Sequence, residues 1–176
     1  MKTVCISSML LILLASCGKE PKEPQQIGPH WGEVTTEKNE NLWKATAYAA
    51  VNNKLADRLD ILIDSLDENN FNRERLSFYK VPSVPGTYTV FNSSSQVNDS
   101  LVGSRFFYVE VDILYGVYKI LEADSSSFIT LTSYDPVSRE VKGTFDVTFI
   151  KEIKPYPNAP DTIRLRNGKF HTKVIE

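Results

Sequence analysis

The stretch SRFFYVEVDILYGVYKIL, residues 104–121, decides the fold class because its side chains alternate along almost its whole length. One face of this pattern carries Phe107, Val109, Val111, Ile113, Tyr115 and Val117. The opposite face carries Phe106, Tyr108, Glu110, Asp112, Leu114 and Tyr118. A period of two residues is that of a β-strand. The pattern predicts one long strand, or two strands broken near Gly116, because glycine weakens a strand interior.

Alternation also marks the segments before this stretch. Residues 42–51, LWKATAYAAV, place Trp43 and alternate small apolar residues on one face. Residues 55–66 are less decisive. A strand would turn Leu59, Ile61 and Ile63 inward and Arg58, Asp60 and Asp64 outward, with Leu62 left unexplained. A helix would instead align Leu55, Leu59, Leu62 and Leu66 in an apolar stripe. We favour the strand.

Further alternating segments complete an all-β pattern. They are RLSFYKV (75–81), GTYTVF (86–91), SFITLTSY (127–134), GTFDVTFI (143–150) and DTIRLRNGKFHTKV (161–174). Within the last of them, Asn167-Gly168 is a strong hairpin signal because both residue types accept a positive φ. The count is eight or nine strands. An antiparallel β-sandwich or a small β-barrel is therefore predicted.

The first residues have the features of a secretory signal. A positive charge at Lys2 precedes an apolar run over residues 4–15, which is shorter than the roughly 20 residues of a membrane-spanning helix. The run ends in LASC, residues 14–17, which resembles the lipobox of bacterial lipoproteins, in which the cysteine is acylated and begins the mature chain. We therefore predict a signal peptide over residues 1–16 and lipidation of Cys17.

The chain after the cysteine is predicted to be a flexible linker. Residues 18–30 contain three prolines and four charged side chains, and such a segment buries too little apolar surface to order itself. Residues 17–30 thus form the lipidated cysteine and linker, and residues 31–176 a single β domain. Two or more acyl chains make such an anchor stable. Gly18 follows the cysteine, which by analogy with other lipoproteins permits an outer-membrane location in the cell envelope.

Composition excludes several classes of function. The chain has 20 Lys and Arg against 22 Asp and Glu, so bulk charge does not favour nucleic acid. Cys5 would leave with the signal peptide and Cys17 would carry lipid, so disulfides and thiolate chemistry are not expected in the β domain. His30 and His171 are the only histidines, and we predict neither a metal site nor a cofactor.

One candidate site lies on the alternating stretch. Glu110 and Asp112 would project from one strand face about 7 Å apart, a spacing that a glycosidase or a calcium site could use. They could equally form the solvated face of a sheet. Phe106, Tyr108 and Tyr118 share that face, and exposed aromatic rings would make it a ligand-binding surface. A second layer of the fold could instead cover the rings.

The order of these segments resembles that of small β-rich lipoproteins of Bacteroidota. The similarity rests on the lipobox, the polar linker, Trp43 with its alternating alanines, and two short motifs, GTY at 86–88 and GTF at 143–145. The resemblance implies an address in the cell envelope and a β-rich fold. It transfers no catalytic residue.

Two functional classes are therefore open. The first is a non-catalytic envelope lipoprotein that binds a protein, a glycan or a small apolar ligand. The second is an envelope glycan hydrolase that uses Glu110 and Asp112. We favour the first because it requires no residue that the sequence lacks.

The anchor can be tested by replacing Cys17 with alanine. Without the thiol no lipid can be attached, so we expect the Cys17→Ala chain to keep its signal peptide uncut or to appear in the soluble fraction. Detergent phase partitioning of cell extracts measures this. Unchanged partitioning of a processed Cys17→Ala chain into the detergent phase would argue against lipidation.

Overall fold

A computed structural model describes residues 31–92, 100–110, 113–122, 126–153 and 156–175, and for Glu110 it describes the backbone only. The predicted signal peptide 1–16, the linker 17–30 with Cys17, and Asp112 lie outside the described residues. Among those described, no helix is long and apolar enough to cross a membrane.

The described chain is built from ten β-strands, which confirms the all-β prediction. They are β1 Gly32–Lys38, β2 Asn41–Val51, β3 Arg58–Leu66, β4 Asn72–Pro82, β5 Gly86–Asn92, β6 Val102–Glu110, β7 Ile113–Ile120, β8 Phe128–Tyr134, β9 Glu140–Ile153 and β10 Thr162–Ile175. The segment over residues 58–66 is a strand, as favoured, with Leu59, Ile61 and Ile63 buried.

The strands form one sheet that closes in a ring, so the barrel alternative holds and the sandwich does not. The ring runs through β1, β2, β3, β4, β6, β7, β9 and β10 and returns to β1. β6 and β9 are also connected through two further strands beside β7: β6 pairs with β5, β5 with β8, and β8 with β9. Every described strand therefore has a partner on each side, which removes the exposed edges that promote association.

Two short pairings are parallel, which the antiparallel prediction did not include. β10 is 14 residues long and β1 only seven. Both β10 and β2 pair antiparallel with β1, so where β10 extends past the beginning of β1 it meets β2 in parallel, at Val174–Ala49 and Ile175–Ala50. The second parallel contact joins β5 to β6.

The predicted hairpin at Asn167-Gly168 is wrong. β10 continues through both residues as one strand, and β9 pairs with it on either side, at Ile163–Phe149 and Phe170–Gly143. Asn167 has a φ of 55°, and the register against β9 shifts there. The turn-forming dipeptide therefore makes a β-bulge, because β9 is long enough to hold both halves of β10.

The predicted break near Gly116 is also wrong. β6 ends at Glu110 and β7 begins at Ile113, whereas Gly116 lies inside β7 and pairs with Tyr108. A bulge between Tyr108 and Val109 shifts the register of this pair of strands. The long alternating stretch is thus two antiparallel strands whose face pattern changes at the bulge. Leu114 pairs with Val109 and faces outward beside Phe107, so its predicted place on the face of Phe106 and Tyr118 is wrong.

Aromatic rings fill the interior around Phe106. Its ring centroid lies 5.6 Å from that of Tyr108, 6.1 Å from Tyr118, 6.0 Å from Phe149 and 6.4 Å from Trp43. These residues come from β2, β6, β7 and β9, so the cluster ties opposite walls of the ring together. Every described strand and every pairing that closes the ring lies within residues 31–176. This segment therefore contains all of the core that the structure describes.

Close packing makes Gly143 a sensitive position. A Cβ atom there would lie 2.3 Å from the Thr130 carbonyl oxygen and 2.4 Å from the Phe170 ring. We expect Gly143→Ala to lower the free energy of unfolding of the 31–176 segment by about 2–3 kcal/mol, because a strand backbone must move to relieve the clash. Urea denaturation measures this. Lys142→Ala, at an exposed neighbour, should change the value by less than about 0.5 kcal/mol, and equal midpoints for the two variants would contradict the packing.

Candidate functional site

The structure brings three of the predicted site residues together, but inside the barrel. Phe106, Tyr108 and Tyr118 are buried in the core. Of the two alternatives for this aromatic face, the covered one therefore holds and the exposed one does not. The Glu110 side chain and Asp112 lie outside what is described, so a carboxylate pair there stays a prediction.

A charged pair lies next to these rings at one end of the interior. Glu74 accepts hydrogen bonds from the Trp43 indole nitrogen at 2.6 Å and from the Lys38 ammonium. The same ammonium lies 5.7 Å from the ring centroids of Phe106 and Tyr108, within cation–π range. Burial, and then the charge of Glu74, raise the pKa of Tyr108 far above its usual range. The carboxylate is thus fully partnered, as a buried charge must be.

The outer surface of the same strands carries a concave site, which we call the groove. It encloses about 500 Å³. Its lining comes from β3, β4, β6 and β7 and consists of Leu62, Asn72, Arg75, Tyr79, Phe107, Val109 and Leu114. Asn72 and Tyr79 stand seven residues apart on β4, so the groove runs for about 20 Å along that strand. Its volume and its mostly apolar lining are those of a small-molecule site.

The walls of the groove are apolar because three of the four strands around it turn hydrophobic residues outward. Leu62 comes from β3 on one side of β4, and Phe107 and Val109 from β6 and Leu114 from β7 on the other side. Leu114 is 54% exposed. An outward apolar residue on a single strand is common, but several of them on both sides of β4 give walls that can remove ligand surface from water.

An ion pair lies in the middle of the groove. The pairing of β3 with β4 sets Asp64 directly opposite Arg75. Nε of Arg75 donates to Oδ1 of Asp64 at 2.6 Å, and Nη2 donates to Oδ2 at 2.8 Å. The Asp64 side chain is fully buried, whereas that of Arg75 is 35% exposed. Asp64 lies on the outward face, as the strand pattern predicted, and the guanidinium covers its carboxylate.

The pKa values of Arg75 and of nearby Tyr48 are both raised, for different reasons. The hydrogen bonds to Asp64 raise the pKa of Arg75 further, so the guanidinium stays charged. Burial raises the pKa of the Tyr48 phenol on neighbouring β2, although the charge of Arg75 opposes the shift. Tyr48 is thus a neutral phenol at pH 7. The described residues that line the groove offer hydrogen-bonding groups and include no cysteine, histidine or serine.

One polar atom of the groove residues is left without a partner. Oδ1 of Asn72 is buried and accepts no hydrogen bond from any residue that the structure describes. A buried acceptor without a donor is uncommon and costs free energy in the unliganded protein. A ligand that supplied an N–H or O–H group at this point would recover that cost.

The sequence analysis selected a face of β6 and β7 that the structure turns to the interior, with Phe106, Tyr108 and Tyr118 buried. Both faces of β6 are aromatic or apolar, so alternation alone did not decide which one would be buried. Leu62, which the strand pattern of β3 left unexplained, lines the groove. The outward apolar residues of β3, β6 and β7 were the sequence feature from which the groove could have been predicted. No sequence pattern indicated that Asn72, Arg75 or Tyr79 would line it.

Comparisons with protein-family models, with curated proteins and with solved structures gave no match to this chain. The resemblance to lipoproteins of Bacteroidota therefore stays a prediction.

The burial of Asp64 makes Arg75 important for stability. We expect Arg75→Met to lower the free energy of unfolding by about 3–5 kcal/mol, because the buried carboxylate loses its guanidinium. Lys151→Met is the matched control, since Lys151 pairs at 2.6 Å with Asp161, whose side chain is 67% exposed. That change should cost less than about 1 kcal/mol. Chemical denaturation of both variants tests the difference, and similar losses would contradict it.

Proposed function

We propose that this chain is a lipid-anchored protein of the bacterial cell envelope whose β-domain binds a small apolar ligand in the groove without chemical conversion. The groove is the observation that supports ligand binding, because it has a volume of about 500 Å³, apolar walls and a central arginine. Pockets of this size that combine apolar walls with few polar groups are typical ligand sites. The lipobox-like residues LASC, at 14–17, support the envelope address.

The position of the groove suits a protein attached at its N-terminus. β1 begins at Gly32, next to the proposed linker, and ends at Lys38, about 20 Å away at the other end of the barrel. Lys38 contacts Glu74, only two residues from Asn72. The Asn72 end of the groove therefore lies at the barrel end opposite the attachment point. A ligand can reach it while the linker end stays near the membrane.

The shape of the groove favours a chain-like ligand over a compact one. Its length along β4 exceeds what a single ring would fill, and the exposed side of Leu114 gives the chain an apolar contact on one wall. Burying apolar ligand surface contributes about 25 cal/mol per Å² before the entropy of binding is subtracted. A glycan or a protein segment is a less favoured occupant, because the walls offer few hydrogen-bonding groups.

The hydrolase alternative depends on Glu110 and Asp112. We rank it second because the described residues that line the groove include no aspartate or glutamate. Loss of glycan hydrolysis by the purified domain on replacing both acids with their amides would reverse this ranking. No cofactor is proposed. The expected partner is the membrane that holds the Cys17 lipid, which by analogy with other lipoproteins is the outer membrane.

Mass spectrometry of the protein purified from its own cells tests the binding proposal. We expect a small apolar compound to co-purify, and Leu114→Lys to reduce its amount by about tenfold, because the new charge would be desolvated by the ligand. Leu42→Lys is the control, since Leu42 is also an exposed leucine but lies outside the groove lining. Equal ligand content in the two variants would contradict binding in the groove.

A further inference from the structure

The positive charge of Arg75 is cancelled within the groove. Both oxygens of the buried Asp64 carboxylate accept hydrogen bonds from the guanidinium, at 2.6 and 2.8 Å. These two bonds use one edge of the guanidinium and leave its remaining N–H groups outside the pair. Arg75 thus brings hydrogen-bond donors to the groove, but the pair as a whole carries no net charge.

The arginines on either side of Arg75 are matched in the same way. Nη2 of Arg73 contacts Asp67 at 2.7 Å, and Nη1 of Arg105 contacts Glu152 at 2.9 Å. Arg73 lies two residues before Arg75 on β4, and Arg105 lies two residues before Phe107 on β6. A ligand carboxylate or phosphate in the groove would therefore meet no uncompensated cation among these three.

The second polar group of the groove also disfavours an anion. Oδ1 of Asn72 is buried and lacks a donor among the described residues. An ionised carboxylate has acceptors only, so it cannot satisfy that atom. An amide or a hydroxyl group has both a donor and an acceptor, and its acceptor suits the remaining N–H groups of Arg75.

From these contacts we infer that the groove selects ligands whose polar end is uncharged and carries both a donor and an acceptor, such as an amide or an alcohol. Carboxylates and phosphates of the same chain length are disfavoured. The inference rests on the proposed function, because it assigns the polar end of the ligand that the groove would bind.

Octanamide and octanoate are suitable probes because they share a chain length and differ in charge at pH 7. Titration into the 31–176 segment, with the methyl signals of leucine and valine followed by NMR, gives both affinities and locates the ligand. We expect octanamide to bind about tenfold more tightly than octanoate, and to shift the signals of Leu62, Val109 and Leu114.

Asp64→Asn tests the cause of the selectivity. This change leaves the partly exposed Arg75 without its carboxylate, so the affinity for octanoate should rise about tenfold relative to that for octanamide. The double variant Asp64→Asn/Arg75→Gln removes both charges. Octanoate should bind the double variant about as weakly as it binds the unaltered segment. This variant can be measured if the single variant does not fold.

The outcomes separate the two proposals. If octanoate binds the unaltered segment as tightly as octanamide in the groove, the selectivity is overturned and the groove remains a ligand site. If Asp64→Asn folds and leaves the affinity for octanoate unchanged relative to that for octanamide, charge cancellation is overturned as its cause. If neither probe shifts the groove signals, the proposed function fails and the inference fails with it.

Discussion

Because every strand of the described sheet hydrogen-bonds to a neighbour on each side, each side chain must face either the interior of the ring or its outer surface. This closure satisfies the backbone polar groups within the sheet and leaves the interior to be filled by side chains alone. The ring around Phe106 is filled by aromatic residues from four strands. The described interior is thus occupied by side chains, whereas the groove lies on the outer surface.

The register of β3 against β4 connects the fold to the groove. It places Asp64 opposite Arg75 across the two strands, and a shift of β3 by one residue would turn Asp64 to the interior, away from Arg75. The same alternation that buries Ile61 and Ile63 therefore sets the polar centre of the groove on the outside. The stability of the sheet and the charge state of the groove depend on one pairing, so changes at Arg75 are expected to affect both.

Particular residues show how far sequence patterns reach. Leu59, Ile61 and Ile63 were assigned to an inward face, and they are buried, because their alternation does not depend on which strands are neighbours. Asn167-Gly168 was read as a hairpin and is a bulge, because the outcome depends on the length of β9 rather than on the dipeptide. The face of Phe106 and Tyr108 was left undecided, since both faces of β6 are apolar and only the closure of the ring shows which one is inside.

The sequence by itself determined the all-β class and the inward face of Leu59, Ile61 and Ile63 in the strand that it favoured, because residue periodicity and composition are local properties of the chain. Only the tertiary structure decided that the sheet closes, that Asp64 is buried beneath Arg75, and that Leu62, Phe107 and Leu114 share one groove. These features join residues that are far apart in the chain. Their contacts depend on strand order and register, which emerge from the packing of all the strands together.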